Sequence, residues 1–400
     1  MHFGASMFFT DYSMSAADLA RALEARGFES IWAPEHSHIP TSRLSPWGGG
    51  GDLPKKYYDV MDPFVSLTMA GAVTKTLKLA TGVCLVQQRD PIQTAKLVAS
   101  LDQVSGGRFL FGIGNGWNAE EMADHGTAFE TRHKLARERI EAMKEIWTKS
   151  TAEYHGEMVD FGPMVAWPKP VQKPHPPMWM ALAQPTSFDV AASHGLGVLC
   201  NSVGIPQRLT RRVRMYKDAV QSPTDPVSSV INNQVAAFAH TLCAEDDKPT
   251  REFIGQAYRA SFRENLSLAA GAGIVPNSQY GATLEDFYIE YSKQLEDAGK
   301  PFPEFLKYSL EREQGAHLQR DTLQVMSGDQ LVNDAVVIGG DPESCIRGLK
   351  MYEESGIDQF MVQPDWGFIT HEQIMESYRL FGKYIIPKFK ASEVAAGART

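Results

Sequence analysis

The stretch of sequence that decides the fold runs from Leu79 to Trp117 and reads LATGVCLVQQRDPIQTAKLVASLDQVSGGRFLFGIGNGW. It opens on a mostly apolar run, and residues 92–104 then place apolar side chains at helical spacing behind Pro91, a residue that the first turn of a helix tolerates. Residues 105–107 break this helix, and residues 109–113 form a second apolar run. The stretch therefore predicts a strand, a helix and a second buried strand.

The second of these strands ends in an unusual turn, Gly114-Asn115-Gly116-Trp117. Glycines just past the carboxyl end of a strand let the backbone approach a ligand closely, and the tryptophan adds a large flat surface beside them. A glycine-rich turn beside a core tryptophan explains the same residues equally well. The motif indicates a functional site without defining its chemistry.

Apolar runs and helical patterns alternate along most of the chain. Eight strands are predicted, starting at Phe3, Ser30, Leu79, Phe109, Met178, Gly197, Asn232 and Asp358. Because the connections are uniform and no G-x-G-x-x-G follows the first strand, the pattern favours a closed (β/α)8 TIM barrel of the α/β class over an open doubly wound sheet. Active-site groups should then lie at the carboxyl ends of the strands. A hairpin is predicted over residues 154–161.

The pattern changes between Arg251 and Leu331, where aromatic, charged and polar residues mix and glycines punctuate short helical pieces. We expect this segment to be an insertion within a single barrel domain that spans residues 1–400. Such an excursion in a barrel usually covers the mouth or forms a subunit contact, so the sequence predicts a lid.

Charge and cysteine usage exclude several classes of protein. A net charge of -9 argues against sequence-independent nucleic-acid binding, which needs basic residues to neutralise phosphates. The cysteines are far apart and lack metal-ligand spacing, which indicates a reduced cytoplasmic protein with buried thiols. No segment reaches the roughly 20 apolar residues that span a bilayer, and no histidine pair has the spacing of H-E-x-x-H. We therefore expect neither a membrane segment nor a metal. The cysteines are Cys84, Cys200, Cys243 and Cys345.

Several longer motifs point to one family. Residues 26–36 read RGFESIWAPEH, residues 101–109 read LDQVSGGRF, residues 167–177 read WPKPVQKPHPP, and residues 339–345 read GGDPESC ahead of a GID at 356–358. With these motifs the chain resembles the bacterial luciferase-like flavin- and deazaflavin-dependent oxidoreductases, over residues 1–200 and 335–390. The resemblance implies a TIM barrel, a homodimer, and either FMN or the deazaflavin coenzyme F420 as cofactor.

The resemblance also implies roles for residues that follow the third and fourth strands. Gly82 and Val83 fall where the family has a bulge, often with a non-prolyl cis peptide, against one face of the isoalloxazine ring. Asn115, Gly116 and Trp117 are expected to bind the cofactor from the fourth strand. Asn115 stands where the luciferases carry an arginine for the phosphate, and its amide can instead hydrogen-bond a ring carbonyl or N–H.

A second cofactor contact is expected after the fifth strand. Ala183, Gln184, Thr186 and Ser187 lead into a helix that begins near Phe188, and the N–H groups at a helix N-terminus bind anions. A plain helix N-cap explains the two hydroxyl residues equally well. The barrel position that the resemblance implies favours a phosphate-binding role.

The candidate catalytic residues are Glu35, His36 and His38, which follow the second strand where the resemblance places the edge of the flavin. A histidine beside a carboxylate can donate or take a proton near neutral pH. His36 is the first candidate because it directly follows Glu35, whose carboxylate is expected to orient it. In the alternative interpretation the loop is structural and Glu35 binds backbone N–H groups.

The sequence therefore predicts a luciferase-like monooxygenase that uses O2 and reduced FMN, supplied by a partner flavin reductase, to oxygenate a small organic substrate. An F420-dependent oxidoreductase that transfers hydride is the close alternative. A catalytically silent flavin-binding protein is the alternative of another class. We expect a homodimer, with residues 62–74 and 91–104 in its interface.

Overall fold

The computed structural model describes residues 1–42, 44–45, 53–182, 187–201, 206–271 and 326–390. Within these ranges, eight parallel strands close into a barrel, and helices connect them. Numbered along the chain, the described strands are β1 (His2–Ser6), β2 (Ser30–Ala33), β3 (Lys78–Thr81), β4 (Phe109–Ile113), β5 (Ala152–His155), β6 (Asp160–Met164), β7 (Met178–Leu182), β8 (Gly197–Asn201), β9 (Val235–Cys243), β10 (Ile338–Gly340) and β11 (Gln359–Gln363).

The ring of strands runs β1, β2, β3, β4, β7, β8, β9, β11 and back to β1. Pairing of Val198 with Val235 joins β8 to β9, and pairing of Phe3 with Phe360 joins β1 to β11, so the described ring has no open edge. The predicted TIM barrel is confirmed. The antiparallel hairpin β5–β6 lies outside the ring, as predicted over residues 154–161.

Helices alternate with the strands, and several begin with a proline behind an aspartate cap. Asp62 accepts from the N–H of Phe64, and Asp90 accepts from the N–H of Gln93, at the starts of two consecutive helices. Such caps satisfy N–H groups that the first helical turn leaves open. The described α-helices are Ala16–Ala25, Pro63–Ala72, Pro91–Ser105, Ala119–Asp124, Arg132–Thr148, Ser187–His194, Gln207–Ala219, Asp247–Gly271, Gly328–Asn333, Pro342–Glu354 and His371–Leu380.

Some strands begin or end at residues other than those predicted, because side-chain oxygens accept backbone N–H groups near the ends of these strands. The first strand begins at His2, one residue before the predicted start, and ends at Ser6, beyond which the N–H of Phe8 donates to the Asp365 carboxylate (3.2 Å). The strand expected from Asn232 begins three residues later, because the Asn232 side chain accepts from the N–H of Gln234 and forms a turn. The short β10, which pairs in parallel with the end of β9, was not predicted.

The expected insertion is described only at its two ends. Arg251, where the sequence pattern changes, lies inside the helix Asp247–Gly271 and is buried. Its guanidinium donates to Asp247, Asn333 and Ser344, which ties the helix to the last part of the barrel. Most of the expected lid, residues 272–325, lies outside the described residues, and the lid stays a prediction.

Two apolar layers hold the barrel together. The larger lies between the strands and the helices, and the smaller fills the barrel interior with one residue from most strands. Along the inner face of β9, Ala236 is buried, whereas Phe238 and His240 are half-buried. The inner face therefore opens toward the carboxyl ends of the strands, where a barrel places its site. The interior residues are Trp32, Ala80, Leu110, Trp179, Leu199, Ala236 and Met361.

The cysteines and helices add two further observations. All four cysteines are buried free thiols, and burial raises the pKa of Cys200 to about 12. In the part of the chain that the structure describes, no helix combines the length and apolarity needed to cross a membrane.

Candidate active site

Strands β3 and β4 separate and rejoin at the barrel mouth. Regular pairing of β3 stops at Thr81, and the peptide bond between Gly82 and Val83 is cis. Pairing with β4 resumes at Cys84, whose N–H donates to Gly112 O (2.8 Å) and whose carbonyl accepts from the N–H of Gly114 (2.9 Å). Gly82 and Val83 thus form a bulge at the position that the resemblance implies.

The glycines of β4 accommodate this bulge. A Cβ on Gly114 would lie 2.3 Å from Cγ2 of Val83. Gly116 has a positive φ of 65°, and a Cβ there would lie 2.5 Å from Nε2 of Gln87. A side chain at either position would collide with protein atoms, so both glycines allow close packing of Val83 and Gln87. The expectation that these glycines let the backbone approach a ligand stays a prediction.

The bulge and the turn form one half-exposed surface. Gly82, Val83, Asn115, Gly116 and Trp117 are all half-buried, although the strands that carry them are almost wholly buried. Within the described residues, the Asn115 carboxamide has no hydrogen-bonding partner. An apolar side chain, a flat indole and a free amide suit a planar, polar-edged ring such as a flavin. The residues present at this surface therefore fit the implied cofactor.

His36 lies beside this surface and is paired with a carboxylate that the sequence analysis missed. Its Nδ1 is 2.8 Å from Oε2 of Glu121, and the two side chains are 8% and 1% exposed. Burial on its own raises the pKa of Glu121, yet the contacts with His36 and the N–H of Ser37 outweigh it and hold that pKa below its usual range. The ring of His36 packs edge-on against Trp117, with centroids 5.7 Å apart. The pair is therefore a histidine held by an ionised carboxylate.

Glu35 has a different task from the one expected. Its carboxylate accepts from the backbone N–H of Leu85 (2.7 Å) and from the guanidinium of Arg89. Glu35 and His36 are adjacent in sequence, but their side chains contact different partners, Leu85 and Arg89 for Glu35 and Glu121 for His36. The expectation that Glu35 orients His36 is wrong, because Glu121 makes that contact. Glu35 instead links the loop after β2 to the segment after β3. This matches the alternative interpretation, in which the loop after β2 is structural.

His38 lies farther out, in an exposed polar cluster. Its Nε2 is 2.9 Å from Asp124, and the Ser37 hydroxyl lies 2.9 Å from its Nδ1 and 2.7 Å from Nε2 of His125. The His38 side chain is 39% exposed, against 8% for His36. The structure thus separates the two histidines of the loop. Across the described ranges, no group of three or more His, Cys, Asp or Glu side chains is arranged to hold a metal ion.

The expected phosphate site falls mainly outside the described residues. Ala183, Gln184 and Thr186 belong to the range that the structure does not describe. Ser187 is the first described residue of the helix Ser187–His194 and is half-buried, which agrees with a helix predicted to begin near Phe188. The phosphate-binding role of these four residues stays a prediction.

A second histidine at the mouth was also missed. His240 lies on the inner face of β9, its ring stacks on Trp366 with centroids 5.0 Å apart, and its Nδ1 is enclosed without a partner in the described structure. Burial, reinforced by the positive charge of Lys56, lowers the pKa of His240 to about 3. The sequence feature that could have identified His240 is its inward position in the mostly apolar strand β9.

A parallel barrel with half-exposed groups and a histidine–carboxylate pair at its carboxyl end has the layout of a barrel enzyme. The chain belongs to the luciferase-like monooxygenase family, whose model matches residues 10–359. Its relatives include oxidoreductases that depend on a flavin, on FMNH2 or on F420. The likeness to solved luciferase-like structures supports the same fold: the crystal structure of monooxygenase RslO1 from Streptomyces bottropensis has a TM-score of 0.69 and 21% identity, covering 97% of this chain and all of that one.

The sequence relatives differ in how much of the chain they match. The chain is 45% identical over 186 residues to the uncharacterized protein Rv0953c of Mycobacterium tuberculosis, covering 46% of this chain and 66% of that protein. It is 23% identical to the oxygenase component of flavin-dependent trigonelline monooxygenase of Acinetobacter baylyi, covering 94% of this chain and 90% of that protein. It is 26% identical to the F420-dependent hydroxymycolic acid dehydrogenase of M. tuberculosis, over 44% of this chain and 46% of that protein.

Proposed function

We propose that this protein is a monooxygenase that uses reduced FMN and O2 to oxygenate a small organic substrate at the barrel mouth. The observation that carries the proposal is the buried His36–Glu121 pair, 2.8 Å apart, beside the half-exposed surface of Val83, Asn115 and Trp117. The flavin-dependent relative matched over 94% of the chain supports a monooxygenase in particular.

Gly82, Val83, Asn115, Gly116 and Trp117 would hold the isoalloxazine ring. Ala183, Gln184, Thr186 and Ser187 would bind the phosphate. Bound reduced FMN supplies the electrons that activate O2, a chemistry that belongs to the cofactor and not to the protein. Val83 and Trp117 offer apolar contact to a flat ring, and the Asn115 amide offers a hydrogen bond to its polar edge.

His36 would move a proton between its ring and the reacting groups. The Glu121 carboxylate contacts Nδ1 and holds the ring, and Nε2 would be the nitrogen that exchanges a proton with the reacting groups. The N–H of Ser37 donates to the other oxygen of Glu121 (3.0 Å), so the carboxylate is fixed at both ends. Burial of the pair strengthens this electrostatic coupling relative to water. Glu35 and His38 remain weaker candidates for a catalytic role.

Hydride transfer to or from F420 is the second candidate function. The relatives include F420-dependent proteins, and one solved structure of similar fold is an F420-dependent secondary alcohol dehydrogenase with a TM-score of 0.64. The surface that would receive FMN also suits a deazaflavin, because both cofactors have a flat tricyclic ring. The same His36–Glu121 pair would then serve a substrate hydroxyl or carbonyl.

A titration separates the two candidates. The apo protein is titrated with FMN and, in parallel, with F420, and the affinities for the oxidised and reduced forms are compared. Preference for reduced FMN, with O2 consumption above the rate of free flavin, supports the monooxygenase. Preference for F420 replaces it with the hydride-transfer function. If neither cofactor binds, both functions are refuted. If a flavin binds but no turnover is detected, the alternative of a catalytically silent flavin-binding protein is supported instead.

We also propose a homodimer that receives reduced FMN from a separate flavin reductase. Val65 and Met69 lie one turn apart on the helix Pro63–Ala72 and are 64% and 47% exposed, which supports an apolar contact there. Light scattering at micromolar concentration should give twice the chain mass. Replacing Val65 and Met69 together by glutamate should give a folded monomer, and an unchanged mass would exclude this helix from the interface.

A further inference from the structure

A row of aromatic rings follows one side of the barrel mouth, along the ends of β4, β2, β1, β11 and β9. We call it the aromatic arc. Its rings are, in order, Trp117, His36, Tyr57, Phe8, Trp366, His240 and Tyr258. Centroid separations are 5.7, 5.5 and 4.7 Å along the first four rings, and 5.0 and 6.1 Å along the last three.

An ion pair joins the two parts of the aromatic arc. Nζ of Lys56 lies 4.6 Å from the ring centroid of Phe8 and 3.1 Å from Oδ2 of Asp365, the residue before Trp366. Because the two charges are paired, this part of the mouth carries no net charge. Phe8, Trp366 and Tyr258 are buried, so the ring surface left for a ligand belongs to the half-buried Trp117, His36, Tyr57 and His240. Flat faces without net charge suit an aromatic or conjugated ligand better than an ion.

His240 adds a polar group to this apolar wall. It points inward from β9, one step closer to the mouth than Phe238, and it remains half-buried. Its Nδ1 is enclosed and has no hydrogen-bonding partner in the described residues. An enclosed ring nitrogen without a partner is an unusual state, since buried polar atoms are nearly always bonded. The role proposed above for the His36–Glu121 pair makes no use of His240.

We propose that His240 is a substrate-binding residue that hydrogen-bonds an oxygen atom of an uncharged aromatic substrate lying against the aromatic arc. The inference rests on the proposed function in one respect, since it takes the mouth to be the substrate site. A neutral imidazole carries one donor and one acceptor, so it can bind a carbonyl or a hydroxyl. The low pKa of His240 supports this, because the ring is uncharged at neutral pH and does not select for an anion.

The probe for this test is benzamide, a small uncharged aromatic amide with a carbonyl oxygen. Toluene lacks the hydrogen-bonding group, and benzoate carries a negative charge. Each is titrated by calorimetry into the full chain, with and without FMN. We expect benzamide to bind more tightly than either of the others.

His240→Phe keeps a ring to stack on Trp366 and removes both nitrogens. We expect it to weaken benzamide binding about tenfold, the worth of one hydrogen bond, and to leave toluene binding unchanged. His240→Gln retains an N–H and should restore part of the affinity. His371→Phe, the same change at an exposed histidine on the helix His371–Leu380, is the matched control and should change nothing.

A second measurement does not depend on the folding of a variant. In the unmodified protein with nitrogen-15 in its histidines, benzamide should shift the ring nitrogens of His240, and toluene should not. Equal losses of benzamide and toluene affinity in His240→Phe, or no benzamide shift at His240, would overturn the inference. A protein that binds neither FMN nor F420 but shows the benzamide response loses the proposed function and keeps this binding site.

Discussion

The two histidines at the barrel mouth occupy similar places and have opposite electrostatic surroundings. Each packs against a tryptophan, His36 against Trp117 and His240 against Trp366. His36 faces a buried carboxylate at 2.8 Å, whereas His240 has no partner for its enclosed Nδ1 within the described chain and feels the positive charge of Lys56. The residue type alone therefore does not determine chemistry. A carboxylate partner makes a histidine suited to moving protons, and its absence leaves a neutral hydrogen-bonding group.

The largest effect is expected from a substitution of His36, the histidine that has a carboxylate partner. His36→Asn removes the proton-carrying ring and keeps a polar side chain of similar reach. We expect cofactor binding and fold to persist, with turnover lowered about 10²–10⁴-fold, the usual range for a general acid or base. Steady-state turnover and a flavin titration check both parts. His38→Asn is the matched control, and turnover lost there but not at His36 would move the role to His38.

The tryptophans beside the two histidines should respond differently to truncation. Trp366 is 5% exposed and its Nε1 donates to Thr241 O, so Trp366→Ala should lower the free energy of unfolding by about 3–5 kcal/mol. Trp117 is half-exposed, so Trp117→Ala should lower the free energy of unfolding by about 1 kcal/mol or less. The same change should weaken flavin binding. Urea unfolding and flavin titration measure the two effects. Equal destabilisation by both changes would show that Trp117 is a core residue.

Glu121→Gln tests whether the carboxylate is what distinguishes His36. The amide can still accept from the N–H of Ser37 but no longer stabilises a protonated ring. We expect turnover to fall about 10- to 100-fold, as when a histidine loses the partner that orients it, with little change in KM. Glu121→Asp should recover part of the loss. Glu120→Gln, next to it on the same helix, serves as control, and an equal loss there would contradict a specific role for Glu121.

The last prediction concerns the pH dependence of stability. An unfolded histidine takes up a proton near pH 6.5, whereas folded His240 does so only near its pKa of about 3. Because the unfolded state binds more protons between these values, His240 stabilises the fold above about pH 6.5, and that contribution declines as the pH falls toward 3. Denaturant unfolding of His240→Phe should therefore show a shallower loss of stability between pH 6.5 and 4. If the unmodified protein and His240→Phe lose stability equally over this pH range, His240 is in contact with water in the folded protein.

The barrel could be predicted from the sequence because parallel strands buried on both faces leave continuous apolar runs. The His36–Glu121 pair could not, because the two residues lie 85 positions apart and no local spacing links them. The neighbouring Glu35 was the partner that the sequence offered, but its carboxylate accepts from the N–H of Leu85 instead. His240 was not predicted because it lies in a mostly apolar strand. Only its position on the inner face of β9 distinguishes it from its neighbours.

The contact between Gly114 and Val83 has a consequence for anyone who wishes to redesign the mouth. Since a Cβ on Gly114 would lie 2.3 Å from Val83, the two positions cannot be varied independently in a mutant library. A library that adds a side chain at position 114 and keeps Val83 would place two side chains in the same space. Varying positions 83 and 114 as a linked pair, with small residues allowed at 83 whenever 114 gains a side chain, would sample the reachable shapes of this site.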